Sequence, residues 1–373
     1  MRKAALAVLV LGSLVLGCED EKKPAPPAPS ASAATTAASA TPTASASAAP
    51  KLSMAEMMTA SQKLIAESVN KHDAKLFASA YAPDGILKIA GIPDIKGRDA
   101  IEKQTKADFV GIPDAKFAFA RVWVKGNVAV SEWVYAGTNT GDWNGQKASG
   151  KPVGVNGVSV VVLNDEGLVK EERRYFDMPT TQSQMDPKAK PGSFRPVPTV
   201  PGSTEQHVAK DDDALLKQVN AMYATFEGHK QADFMAFVTD DTTYDDYSSP
   251  AIMKGKKPIG EMFTMYNAGI PDFKQTHDLQ IVSDGWVITE GVLTGTHKGQ
   301  VGPFKATNKP VTLHFIDFFQ VKDSKIVAGR TYQNLLEFLV AIGVAPAPGA
   351  APAASASAAP SASGPTPATK ASK

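Results

Sequence analysis

The chain runs to 373 residues, 43% hydrophobic and 21% charged, with 39 Lys and Arg against 38 Asp and Glu. That length accommodates two domains of ordinary size. The near-zero net charge, without a basic stripe, leaves nothing to attract nucleic acid. The single cysteine, Cys18, excludes an internal disulfide.

At the N-terminus Arg2 and Lys3 precede an apolar run over residues 4–16. The run is too short to span a bilayer and suits the apolar region of a secretory signal. Val15-Leu16-Gly17-Cys18 resembles a bacterial lipobox. The resemblance implies cleavage after residue 17, a diacylglycerol on the Cys18 thiol, and a lipid-anchored protein of the bacterial cell envelope. Such acyl chains add about 0.8 kcal/mol of membrane affinity per buried CH₂, enough for stable anchoring. Residues 18–52 are rich in Ala, Pro, Ser and Thr and have little to bury, so they are expected to form a disordered tether. The tail over residues 347–373 repeats that composition.

Between the ends, one block occurs twice. Residues 137–153 read GTNTGDWNGQKASGKPV, and residues 295–311 read GTHKGQVGPFKATNKPV. The offset of 158 positions also relates Gly111-Ile112-Pro113-Asp114 to Gly269-Ile270-Pro271-Asp272, Glu132 to Glu290, and Gly97 to Gly255. Matches in one register across both halves indicate an internal duplication. The expected copies are residues 53–185 and 211–346, joined by a linker over 186–210.

In the first copy, Met54, Met57, Met58, Leu64, Ile65 and Val69 have helical spacing over residues 54–71. Asp73 suits the N-cap of a short helix running to Tyr81. Pro83-Asp84-Gly85 turns the chain into a short strand at 86–89, and residues 97–109 can form a third helix. Four strand-like runs follow at 115–124, 128–138, 153–163 and 168–176, the last two joined by the hairpin turn Asn164-Asp165-Glu166-Gly167. Helices followed by a meander of long strands predict an α+β domain with helices on one face of a curved antiparallel sheet.

This order, with Gly-Thr-x-x-Gly, Lys-Pro-Val and the closing strand EGLVKEERRYFD, resembles the SnoaL-like polyketide cyclases. They belong to the nuclear transport factor 2-like superfamily, which includes ketosteroid isomerase. The resemblance covers both copies. It implies two tandem cone-shaped domains, each with a cavity between helices and sheet where polar groups handle keto–enol chemistry. It also implies sheet-to-sheet pairing, so the two copies could form an internal pseudo-dimer. In the first copy the family's acid–base places hold Arg174, Ser159 and Ile89, so this copy is expected to be structural or purely ligand-binding. Glu132 sits mid-strand between apolar neighbours, which suits either the cavity or the polar side of the sheet. Trp123, Trp133 and Trp143 read as core or rim packing.

The second copy carries more candidate chemistry. Its first helix has the stripe Leu215, Leu216, Val219, Met222, Tyr223 and Phe226, and an acidic run over 240–247 replaces the apolar strand of the first copy. Asp246 falls at the isomerase's general-base place. Over 313–321, alternation puts Leu313, Phe315, Asp317 and Phe319 on one face. An acid in such surroundings stays neutral and can donate a hydrogen bond to a carbonyl or enolate. The sequence therefore places in the second cavity a small, mostly apolar molecule bearing a carbonyl or hydroxyl. Tyr223, Tyr244, Glu290, Phe315, Phe319 and Thr331 are the expected contacts there, with Glu132 the matching one in the first copy. Two other roles fit the same residues. One is an isomerase- or cyclase-type enzyme with Asp246 as base and Asp317 as donor; the other is a non-catalytic scaffold. No metal-ligand spacing, phosphate loop or nucleophile elbow occurs, so no cofactor is expected.

Overall fold

The computed structural model describes residues 52–143 and 146–347. Cys18, the signal, all of the tether but residue 52, and all of the tail but residue 347 lie outside the described residues.

The first copy opens with α1 (Met54–Asn70), α2 (Ala74–Ser79), β1 (Tyr81–Ile89), β2 (Ile95–Lys96) and α3 (Arg98–Gly111). It continues with β3 (Lys116–Lys125), β4 (Val128–Thr138), β5 (Pro152–Leu163), β6 (Val169–Tyr175) and α4 (Met178–Met185). The joining segment holds β7 (Glu205–Val208). The second copy repeats the plan: α5 (Asp213–Glu227), α6 (Gln231–Met235), β8 (Val238–Asp246), β9 (Met253–Lys254) and α7 (Lys256–Gly269). It closes with β10 (Lys274–Ser283), β11 (Trp286–Thr296), β12 (Pro310–Lys322), β13 (Lys325–Gln333) and α8 (Leu335–Ala341).

Local chemistry sets the helix starts. Ser53 and Glu56 form a reciprocal capping box on α1. Asp73 accepts from the Leu76 amide at 2.8 Å, and Asp212 does the same for Leu215 at 2.9 Å. The short second helix stops at Ser79, before Tyr81, because β1 takes Tyr81 into the sheet opposite Val169.

The sheets run β2-β1-β6-β5-β4-β3-β7 and β10-β11-β12-β13-β8-β9. The meander strands are antiparallel, whereas β1 and β8 run parallel to the closing strands β6 and β13. This is the expected α+β cone, made twice. The stretch expected as a linker contributes β7, which pairs in parallel with β3 from Arg121–Glu205 to Val124–Val208.

The two sheets pack face to face. Trp123, Val130, Val158, Val160 and Tyr175 of the first copy bury one cluster with Ile281, Ile288, Ile316, Phe318 and Tyr332 of the second. Strand alternation explains the arrangement: one face of each sheet serves its own helices and the other serves the opposite copy. The cross-copy hydrogen bonds are reciprocal. Glu290 accepts from Arg173 Nε at 2.6 Å, Arg173 Nη2 at 2.7 Å and Tyr175 Oη at 2.7 Å. Glu132 accepts from Tyr332 Oη at 2.8 Å, from Arg330 Nη2 at 3.1 Å and from its own copy's Arg121 at 2.6 Å. Met178 N donates to Asn334 at 3.2 Å while Leu335 N donates to Asp177 at 3.0 Å, so each copy also helps cap the other's closing helix.

Candidate functional site

Each copy has a cavity between its helices and the inner face of its sheet, and the two differ greatly in size. The first encloses about 520 Å³ and the second about 100 Å³. Only the first falls within the few hundred to about 1,000 Å³ usual for small-molecule sites.

The difference comes from a few inner-face positions of paired strands. On β4 and β5, Trp133 stands opposite Gly157, Ser131 opposite Ser159, and Ala129 opposite Val161. On β11 and β12 the matching pairs are Gly291–Phe315, Thr289–Asp317 and Val287–Phe319. In each copy an aromatic ring lies over a glycine of the neighbouring strand. A Cβ on Gly157 would come within 2.2 Å of Trp133, and one on Gly291 within 2.9 Å of Phe315. The second copy adds Phe319 where the first has Val161, and that ring packs edge-on to Tyr223 at 5.8 Å. Apolar bulk therefore fills most of the second cone.

The wall of the first cavity is mostly apolar, with a buried polar line along β6 and α3. Glu172 accepts from Ser159 Oγ at 2.6 Å, from Arg174 Nε at 2.9 Å and from the Tyr81 hydroxyl. Trp133 Nε1 in turn donates to Ser159 Oγ at 2.9 Å. Opposite, Asp108 accepts from Trp143 Nε1 at 3.0 Å and Gln104 Nε2 at 3.1 Å. Burial pushes the Asp108 carboxyl above the ordinary carboxylate range, and those two donors only partly offset it. The Tyr135 ring also lines this cavity, and its buried hydroxyl has no hydrogen-bond partner among the described residues.

In the second copy Asp246 and Asp317 do line one cavity, together with Tyr223, Tyr244, Phe315, Phe319 and Thr331. Tyr223 Oη donates to Asp317 Oδ2 at 2.8 Å. Burial pushes Asp317 up to about 7, against hydrogen bonds from Thr331 and Tyr223 that favour the charge. Asp246 is also raised by burial, and it accepts from the Ser248 amide and hydroxyl at 2.9 and 2.7 Å.

Two expected contacts lie elsewhere. Glu132 and Glu290 face neither a cavity nor solvent but the seam between the sheets. Their strands alternate inner Ser131, Trp133, Thr289 and Gly291 with these outward residues, and outward here means towards the other copy. Trp123 belongs to that seam as expected of core packing, whereas Trp133 and Trp143 line the first cavity as hydrogen-bond donors. The sequence reading passed over Glu172 and Asp108. The signal for Glu172 was available: it is two residues before Arg174 and so shares its face. Asp108 sits on a polar-looking turn of α3, and nothing local marks it.

Among the described residues, no helix is long and apolar enough to cross a membrane, and no cluster of His, Cys, Asp or Glu could hold a metal ion.

Comparison with known proteins places this geometry in a family. The sequence model of the SnoaL-like polyketide cyclase matches residues 59–185 and again residues 217–342. Similar solved structures include a protein assigned as a SnoaL-like polyketide cyclase from Jannaschia sp. CCS1, 19% identical, with TM-score 0.33 over 35% of this chain and 92% of that one. TsrD of Streptomyces laurentii is 16% identical, with TM-score 0.33 over 36% of this chain and 98% of its own. A Catenulispora acidiphila protein with a ketosteroid isomerase-like fold, solved with trimethylamine, is 23% identical, with TM-score 0.30 over 35% of this chain and 95% of its own. No curated protein matches the chain. With two consecutive matches that together span more than half of its length, the chain belongs to the SnoaL-like polyketide cyclase family.

Proposed function

We propose that the protein is a lipid-anchored binding module that holds one small, mostly apolar molecule in the cavity of its first copy. The observation carrying this reading is the volume of about 520 Å³, against about 100 Å³ in the second copy, where the sequence had placed the ligand. The ligand's polar end is a carbonyl or hydroxyl that meets Arg174 and Asp108, two of the polar groups on the cavity wall. Glu172, held by three donors, serves to fix Arg174 rather than to move protons. The second copy is the rigid half of the pseudo-dimer. Its Asp246 and Asp317 face a space too small for a steroid- or polyketide-sized substrate, which argues against isomerase or cyclase work there.

The test uses N-phenyl-1-naphthylamine, an apolar probe that fluoresces when shielded from water. Ser131→Phe projects a ring into the first cavity and should weaken probe binding at least tenfold. Thr289→Phe, at the matching place in the second copy, should leave probe affinity within twofold, with circular dichroism checking that both variants fold. Undiminished binding to folded Ser131→Phe would end the proposal.

The anchor is a separate part of it. Cys18→Ser should move the protein from the membrane fraction to the soluble one without changing its thermal transition, because Cys18 precedes both copies. Retention of the Ser variant on membranes after a high-salt wash would rule the lipid out.

A further inference from the structure

The chain leaving each copy's closing helix crosses to the opposite copy. After α8, Gly343 takes φ +79°, and Val344 and Ala345 both donate to the Leu339 carbonyl, at 2.8 and 3.0 Å. This left-handed cap reverses the chain, as glycine at a helix C-terminus does. The positive φ is what calls for glycine here, since a Cβ would displace only the flexible end of the exposed Lys309. The reversal brings Ala345, Pro346 and Ala347, with Leu336 of α8, onto the wall of the first copy's cavity. The neighbouring rim loop is clamped from the same side: Asn334 Nδ2 donates to Ala90 O at 2.6 Å, and the Cβ position of Gly91 lies 3.0 Å from Glu337 Cγ.

The segment after α4 makes the mirror-image crossing. Arg195 reaches the second copy, pairs with Asp245, donates to Asp246 O and Ser249 O at 3.2 Å each, and stacks over Tyr247 at 4.4 Å. In the second copy that crossing ends on the backbone of a residue lining an almost filled cavity. In the first it ends on an open one.

We infer that the first copy's ligand site is completed by the second copy, through residues 345–347 and Leu336. These supply an apolar wall that sets how tightly, and how long, an apolar ligand is held. The inference rests on the first-copy cavity being the ligand site. It gives the duplicated domain a function even though its own cavity is almost filled: it carries the wall of its neighbour's site.

The experiment compares two C-terminal truncations with the full chain, using N-phenyl-1-naphthylamine. A stop after Ala347 leaves the wall intact and should bind as the full chain does. A stop after Val344 removes residues 345–347 of the wall, leaving Leu336, and should raise Kd at least fivefold, mainly through a faster off-rate, with the thermal transition little changed. Pro346→Asp in the full chain should weaken binding similarly by adding a charge to an apolar wall. If the chain ending at Val344 and Pro346→Asp both bind like the full chain while Ser131→Phe abolishes binding, the cavity stands and the wall does not. If the stop after Ala347 weakens binding as much as the stop after Val344, residues beyond 347 do the work and the inference is wrong. If Ser131→Phe also binds normally, the cavity proposal fails and this inference falls with it.

Discussion

Glu290→Ala should destabilise the protein by about 3–5 kcal/mol, the range for removing one partner of a buried charge network. The carboxylate is 3% exposed and receives the Arg173 guanidinium at both oxygens and the Tyr175 hydroxyl at one. Its removal leaves the Tyr175 phenol without its acceptor and Arg173 with Glu171 alone, side by side on β6 and both pointing into a packed apolar seam. The deficit does not stay within one copy, because the donors come from the first and the acceptor from the second. Urea unfolding followed by tryptophan fluorescence reports on the seam directly, since Trp123 lies within it and Trp286 packs against it. The native protein is expected to unfold in a single transition, and Glu290→Ala in two, as the copies lose their cooperative contact. Glu132→Ala should behave alike, through Arg330 and Tyr332. The triple change Glu290→Leu, Arg173→Met and Tyr175→Phe should recover much of the loss, because apolar packing replaces the three groups that meet at the seam, while Glu171, which loses Arg173, keeps Lys88 at 2.7 Å. A loss below about 1 kcal/mol for both Glu→Ala variants would mean that the seam is apolar in energy and the carboxylates are incidental to it.

The architecture was legible because duplication and strand alternation are both written in local spacing. The turn at His72 recurs at His229 with φ 55° and 58°, and the Gly97 and Gly255 caps recur with φ 86° and 80°. The cavity-facing set Asp317, Phe315 and Phe319 followed from alternation on β12, whereas Thr331 on β13 came from the family resemblance. Alternation tells which residues share a face but not what that face meets. Glu132 and Glu290 were therefore open in sequence, since an outward residue in a lone domain meets water and here it meets a second sheet. The difference in cavity size was hidden for a related reason. Carboxylates drew attention to the second copy, while cavity size depends on summed side-chain volume. The replacement of Gly157 and Val161 by Phe315 and Phe319 was visible, but so was the reverse exchange of Trp133 for Gly291. Their net effect on volume needs three dimensions. The wall formed by residues 345–347 is less legible still, because it depends on a glycine reversal and on the partner copy's position together.

Asp317→Asn should leave stability nearly unchanged near pH 4 and raise it at pH 8. In the folded protein burial moves the Asp317 carboxyl from an ordinary value of 3.8 up to about 7. Between about pH 4 and 7 the fold therefore keeps a proton that the unfolded chain has lost. The folded state binds more protons there, so stability falls as pH rises through that window, and the stabilisation is complete only below the unfolded value. A shift of about 3 units corresponds to something on the order of 4 kcal/mol once the group is forced to ionise in the fold. Asparagine has the same shape and offers Tyr223 an acceptor, but it never ionises, so the variant escapes this loss. The Asn variant keeps a residual slope of the same sign, because Asp177, buried beneath α4 and the start of α8, is also pushed up to about 7. His314, raised by its hydrogen bond to Glu337, adds to it in the same direction. Asp246 lines the same cavity and acts on Asp317 as a like charge, so Asp246→Asn should lower the Asp317 pKa and narrow the pH window. Urea midpoints measured from about pH 4 to 8.5 would show the two curves diverging above about pH 4, with the Asn variant on top. Parallel curves, or an Asn variant weaker at every pH, would mean that Asp317 is ionised in the fold and that the narrow second cavity does not hold a neutral acid.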